Sequence, residues 1–238
     1  MIARKSLAFL AFGISIMASP VLADDHGSTA VNRIDTQRPD APALAAYGAH
    51  KIGVRTVTIV NPDQIDILAI DPVGEKPDPM PRYDRELTVE IWYPAAADAT
   101  GDTVLTANLR DGKTMVQLHG QAMRDAAPDG AKYPLVMISH GYPGNRYLLS
   151  HLAENIASKG YVVASLDHRD STYAGQAAFG STLVNRSYDQ LFLLDQMAEM
   201  SAGDGFLKGM VDTDNTALIG YSMGGYGAYV WSCFGLTV

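Results

Sequence analysis

Cysteine is nearly absent. Cys233 is the only one, so no disulfide can form within the chain and the fold must rest on packing. There is no Cys-x-x-Cys and no His-x-x-x-His pair, which removes the usual spacings of a zinc site. A Gly-rich phosphate loop and an Asp-Phe-Gly are missing too, so His168-Arg169-Asp170 stands without the parts a kinase would need. Basic clusters are absent, and 18 Lys and Arg against 26 Asp and Glu leave a formal charge of −8. That balance argues against nucleic acid or an anionic membrane as partner. Beyond the N-terminal region no apolar run is long enough to cross a bilayer.

What is present suits one α/β domain. A length of 238 residues and a hydrophobic share of 47% allow a single sizeable core. Residues 1–23 read as a secretory signal peptide: Arg4 and Lys5, a short apolar stretch at 7–18, then Val21-Leu22-Ala23 before Asp24. The alternative is an N-terminal anchor, against which Pro20 and the shortness of the run both count. The expected organisation is a signal peptide at 1–23, a polar and loosely ordered lead-in at 24–52 and an α/β domain at 53–238. Export to a periplasm or the exterior follows, with no stable membrane anchor once the signal is removed.

The periodicity changes along the chain. Residues 54–60 and 86–94 alternate apolar and polar side chains, as paired strands do, with Asn61-Pro62-Asp63 and Pro94 as their stops. Residues 95–131 form a long polar insertion with no clear period and room for a short helix; insertions of this length often border a substrate cleft. Residues 133–139 and 161–166 are continuous apolar runs, the pattern of parallel strands covered on both faces. Residues 147–159 have helical spacing and are stopped by Gly160. A small-residue loop at 174–183 precedes a second helix at 185–200, where Arg186 and Asp189 are expected to pair on the first turn. The polar Asp167-His168-Arg169-Asp170, at a strand end, is expected to line a cleft or close a loop network rather than bind metal.

The chemistry concentrates at residues 216–225. An apolar run, buried at 217–220, ends in Gly220-Tyr221-Ser222-Met223-Gly224 and opens a helix, the sequence form of a nucleophile elbow. A sharp strand-to-helix turn lifts the central serine clear of the sheet, and glycines flank it because a Cβ at either place would strike backbone. A serine in an ordinary turn is the alternative reading. If the elbow is real, Ser222 is the nucleophile. The backbone N–H of Met223, at a helix N-terminus, and that of Tyr142, in the loop after strand 133–139, are then the candidate oxyanion donors. His140 invites a base assignment, but it lies upstream of Ser222 and is expected instead to shape that loop and pack beneath it.

This order of elements resembles the first part of an α/β-hydrolase fold, a mostly parallel sheet with helices on both faces. The stretches 87–94, 134–141 and 160–170, together with 220–225, resemble the predicted dienelactone hydrolase and platelet-activating-factor-acetylhydrolase-like group. The resemblance implies a carboxylic-ester or lactone hydrolase acting on a small molecule, with no metal or organic cofactor. Ser222 matches its nucleophile, and Tyr142 and Met223 its oxyanion donors. Dienelactone hydrolases proper use cysteine at the elbow, so serine here leans towards serine-type ester hydrolysis. The fold's triad runs Ser, Asp or Glu, His, yet no His, Asp or Glu follows Ser222. The expectation is a chain lacking the fold's C-terminal strands and the triad acid and base, with weak or lost activity and an exposed, aggregation-prone elbow strand. A non-catalytic binding module and an unfolded product are the alternatives.

Overall fold

The computed structural model describes residues 31–177 and 179–234. The signal-peptide reading of residues 1–23 therefore lies outside the described residues, as does the start of the lead-in. In chain order, β1 (Ile52–Ile65) and β2 (Arg82–Pro94) pair antiparallel from Ile52 against Pro94 to Ile65 against Arg82. The strand does not stop at Asn61-Pro62-Asp63 as expected. The register shifts between Asn61 and Gln64 with Asp63 at a φ of 56°, so the turn-forming residues are absorbed as a bulge and the ribbon continues.

The insertion at 95–131 holds strands rather than a helix. β3 (Val104–Asn108) and β4 (Met115–His119) form a separate two-stranded sheet, and β5 (Met123–Arg124) adds parallel to β1. Leu105 and Ala107 point inward between exposed or half-exposed neighbours, an alternation too short to stand out in the sequence. The rest is β6 (Tyr133–Ser139), α1 (Ser150–Ala157), β7 (Val162–Leu166), α2 (Phe179–Ala202), β8 (Val211–Gly220) and α3 (Met223–Phe234). Two boundaries differ from expectation: α1 is shorter at both ends, and α2 begins six residues earlier than residue 185. The buried face of α2 explains the second. It carries Ser181, Asn185, Arg186, Asp189 and Gln190, so its first half has no apolar stripe to read.

The main sheet runs β5-β1-β2-β7-β6-β8. The pairs β5–β1, β7–β6 and β6–β8 are parallel, while β1–β2 and β2–β7 are antiparallel. Side chains alternate between two cores. Leu87, Val89, Ile91 and Tyr93 of β2 meet Leu135 and Met137 of β6 and Leu193 and Met197 of α2 on one face. Trp92 joins Val136, Ile138 and, from α1, Ala153 and Ala157 on the other, where Ile34 and Tyr47 of the lead-in also pack. Burying a side chain of Leu or Ile size is worth roughly 1.5–3 kcal/mol before the entropy of ordering it is subtracted. β8 lies at the sheet's edge, so its residues 217–220 are half-exposed or exposed rather than buried.

This topology places the candidate site. β6 and β8 are neighbours, with Ser139 beside Gly220 at their C-terminal ends. The chain leaving β6 goes to α1 on one face; the chain leaving β8 enters α3, whose Trp231 packs on the other. Strand ends from which the chain diverges to opposite faces are where open α/β sheets take their ligands. Among the described residues, no helix is long and apolar enough to cross a membrane.

Candidate active site

At the C-terminal end of β8, Tyr221 and Ser222 turn the chain into α3. Ser222 is exposed and has a φ of 53°, a left-handed conformation costly for a residue with a side chain. Hydrogen bonds hold it there. The Tyr221 amide donates to the Ser139 carbonyl (3.0 Å), the Gly224 amide to the Tyr221 carbonyl (2.9 Å), and the Gly225 amide to the Ser222 carbonyl (2.9 Å). A Cβ on Gly220 would sit 2.5 Å from the backbone of Gly224 and Gly225, and one on Gly224 would sit 2.0 Å from the Ser139 carbonyl oxygen. Neither backbone can retreat, so both positions demand glycine. Met223 opens α3, where first-turn amides lack an intrahelical acceptor.

The loop after β6 passes against this turn. A Cβ on Gly141 would lie 3.2 Å from the Ser222 Cβ and 3.1 Å from the Tyr221 ring. The next residue, Tyr142, sends its side chain away: its hydroxyl donates to the Ala177 carbonyl (2.9 Å), and its ring meets Phe179 edge-on at 5.2 Å. The structure thus brings Ser222, Met223, Gly220, Gly224 and the loop carrying Tyr142 together at one sheet end.

Directly beneath lies a buried polar chain. Asp189 accepts from His168 Nδ1–H (2.9 Å), which leaves His168 Nε2 to accept from the Ser139 hydroxyl (2.7 Å). The sequence of groups is that of a catalytic triad, but Ser139 is 0% exposed, His168 1% and Asp189 1%. No ester carbonyl can reach Ser139, whose carbonyl and hydroxyl instead form the floor on which Gly224 rests. His140 completes the layer. Its Nε2 accepts from the His168 amide (3.1 Å), and its Nδ1–H donates to the Gly141 carbonyl (2.7 Å). Burial holds both imidazoles well below the ordinary histidine pKa, so both are neutral, in agreement with these donor assignments.

Charge enters this layer in balanced form. Arg85 of β2 donates to both Asp189 oxygens (2.6 and 2.8 Å) and to Asp170 (3.1 Å). Burial pulls its guanidinium down, but the Asp189 and Asp170 carboxylates outweigh that and hold it above its usual value. Asp170 also accepts from Ser181 (2.6 Å) and Asn185 (3.0 Å). The expected Arg186–Asp189 pair does not form. Arg186 donates to the His140 carbonyl (2.9 Å) and the Ser171 hydroxyl (2.6 Å), and burial brings its pKa down to about 10, still charged at neutral pH. The two residues sit deep in α2, not on its first turn, and each is committed to a strand end. Gln190 donates to the Gly224 carbonyl (3.0 Å).

On the opposite face, buried Glu90 accepts from Thr56, Tyr147, Arg124 and Arg146, and Arg146 also pairs with Asp167. The Asp167–Asp170 cluster therefore closes two networks, one on each face of the sheet. Among the described residues, no three His, Cys, Asp or Glu side chains converge as metal ligands would. Sequence reasoning missed Arg85, Ser139 and Gln190. Arg85 did carry a signal: it occupies the inward phase of β2, with Leu87, Val89, Ile91 and Tyr93, where an isolated charge requires a buried partner.

The family model described as platelet-activating factor acetylhydrolase, isoform II, matches residues 83–202, just over half of the chain. The match takes in Arg85, Ser139, His168 and Asp189 and stops short of Ser222. The platelet-activating factor acetylhydrolase of Cavia porcellus is 32% identical over 118 residues, 45% of this chain and 27% of that protein. That of Bos taurus is 28% identical over 123 residues, 42% of this chain and 28% of that protein. The matched stretch thus spans little more than a quarter of these curated relatives. A solved ferulic acid esterase from Streptomyces cinnamoneus is similar with a TM-score of 0.58 at 24% identity, covering 84% of this chain and 58% of that one. At that identity the likeness speaks for the fold, and the mixed, mostly parallel sheet is that of an α/β-hydrolase. With the family model aligned from the start of β2 to the end of α2, the chain belongs to the platelet-activating factor acetylhydrolase, isoform II, family.

Proposed function

We propose that this chain carries the nucleophile and the oxyanion donors of a serine-type carboxylic-ester or lactone hydrolase. Ser222 attacks the carbonyl carbon of a small-molecule ester. The backbone N–H groups of Tyr142 and Met223 stabilise the oxyanion, the bond from the carbonyl carbon to the alkoxy oxygen breaks, the Ser222 hydroxyl proton passes to that oxygen, and an acyl-enzyme is left on Ser222. The observation that carries this reading is the backbone of Ser222: an exposed serine at a φ of 53°, between two glycines whose Cβ positions are closed, at the C-terminal end of a parallel strand. Strain of this kind survives only where the surroundings enforce it. A pure binding module has no need of it, which weighs against the non-catalytic alternative.

The acid and base that would activate Ser222 are not among these 238 residues. Each histidine precedes Ser222, and His140 and His168, in the layer beneath the elbow, are sealed and engaged. The 238-residue chain by itself is therefore a slow acyl acceptor, since losing a triad member typically costs about 10⁴-fold or more. Incubation with p-nitrophenyl acetate and with a fluorophosphonate, followed by intact-mass and peptide analysis, tests this. The expected result is slow, stoichiometric modification at Ser222, absent in Ser222→Ala, without efficient turnover. An adduct that persists in Ser222→Ala overturns the nucleophile assignment, and rapid turnover by this chain alone overturns the missing base. Export with cleavage after Ala23 belongs to the same proposal; a mature N-terminus at Asp24 is its expected signature.

A further inference from the structure

The two oxyanion donors proposed above come from different strands, and the sheet alone does not fix them relative to each other. The β6–β8 ladder ends at Ser139 and Gly220, and Tyr142 and Met223 both lie past that end. We infer that His140 and one face of α2, through Arg186 and Gln190, position those donors and so set the geometry of the oxyanion pocket. The inference rests on the reading of Ser222 given above.

Three carbonyls are held by these side chains. Arg186 Nη1 donates to the His140 carbonyl at 2.9 Å, two residues before Tyr142. The His140 ring donates from Nδ1 to the Gly141 carbonyl at 2.7 Å. That carbonyl shares a peptide plane with the Tyr142 amide. A trans peptide points its N–H opposite its C=O, so fixing the Gly141 oxygen fixes the direction of the Tyr142 N–H. On the β8 side, Gln190 Nε2 donates to the Gly224 carbonyl at 3.0 Å, one residue after Met223. Arg186 and Gln190 are four apart on one helix, hence neighbours on one face, and α2 thereby spans the two donor segments. Gly227 of α3 lets the helices close onto these side chains. A Cβ there would lie 2.6 Å from Arg186 Cγ and 2.8 Å from Gln190 Nε2.

The choice of residues points the same way. Arg186 is 1% exposed and Gln190 0% exposed. Among the described residues, Arg186 Nε and Gln190 Oε1 have no hydrogen-bond partner. For stability alone, an apolar side chain at 190 would avoid burying an amide that is only half satisfied. An apolar contact, however, cannot orient a carbonyl.

Three variants of the 238-residue chain test this: Gln190→Met, His140→Leu and His140→Asn. The readout is the second-order rate of fluorophosphonate modification at Ser222, measured well below each variant's thermal midpoint and expressed per folded molecule. Removing an oxyanion donor outright costs about 100- to 1,000-fold, so misaiming one is expected to slow Gln190→Met and His140→Leu by at least about tenfold. Gln190→Met keeps the helix contact and is expected to melt no lower than the unsubstituted chain. Asn at 140 places an N–H close to the position of Nδ1 and is expected to recover most of the lost rate, a rescue that packing alone would not give. If Gln190→Met is folded and reacts at the unsubstituted rate, the positioning role of α2 is overturned. If His140→Leu folds and reacts as fast as His140→Asn, the role of His140 is overturned. If the unsubstituted chain gives no adduct at Ser222, the reading beneath the inference falls instead.

Discussion

Ser222 holds a left-handed backbone because everything around it is rigid: two glycines with no room for a Cβ and a carbonyl floor at Ser139. The histidines of that floor have a measurable consequence. His140 and His168 are neutral in the fold because burial depresses their pKa well below the ordinary 6.5 they regain on unfolding. The groups facing them are Arg85, Arg186, Asp170 and Asp189, two cations and two anions, so the surroundings supply no net charge to favour protonation. The unfolded chain therefore binds more protons below pH 6.5. This contribution to stability is complete above that pH and is lost as the pH falls towards the depressed folded values. With two such groups the slope approaches about 2.7 kcal/mol per pH unit at its steepest. The urea midpoint is expected to fall clearly between pH 7 and pH 5, and an unchanged midpoint would mean that the imidazoles take up protons as readily in the fold as in the unfolded chain.

Among the elements, α2 and β2 are joined by charge as well as by a shared apolar core. Arg85 reaches from the strand to grip Asp189 on the helix and Asp170 at the end of β7. Arg85→Met would leave two buried carboxylates without their cation, and the expected loss is about 3–5 kcal/mol in chemical denaturation. Arg85→Lys should recover only part of it, because one ammonium cannot supply the planar fork that serves both Asp189 oxygens. The same pair shows where the sequence stops being legible. The strand-to-helix turn at Ser222 could be read because its parts lie within five residues, although the contact that demands glycine at 224 comes from Ser139 of a neighbouring strand. The apolar runs of β6 and β7 could be read because both faces are covered. Arg85 and Asp189 lie 104 residues apart, and nothing local in α2 says which strand its charges serve. The start of α2 and the β3–β4 pair were illegible for a related reason. One buries a polar face and the other alternates over only five residues, so neither produces a hydrophobic period.

For the molecule as a whole, the exposed flank of β8 matters most. Among the described residues its backbone is paired with β6 on one side only, and Ala217 and Gly220 are exposed along it. An unpaired strand edge is a template for other strands. The 238-residue chain is expected to self-associate with rising concentration, and Ala217→Lys to shift sedimentation profiles back towards monomer. A concentration-independent monomer without the substitution would show that this edge is protected in some other way.

The position of the elbow in the chain also sets an order of events during synthesis. Arg85, Ser139, His168 and Asp189 are all translated before Ser222, and their mutual hydrogen bonds need nothing that comes later. The chain leaves the ribosome in that order, so these residues are available to one another before β8 and the elbow emerge. The seat for the reactive turn can therefore be built first, and β8 arrives at a floor already in place, with the Ser139 carbonyl waiting for the Tyr221 amide. The strained serine is translated after the residues that seat it, so its strain is imposed by a structure able to bear it.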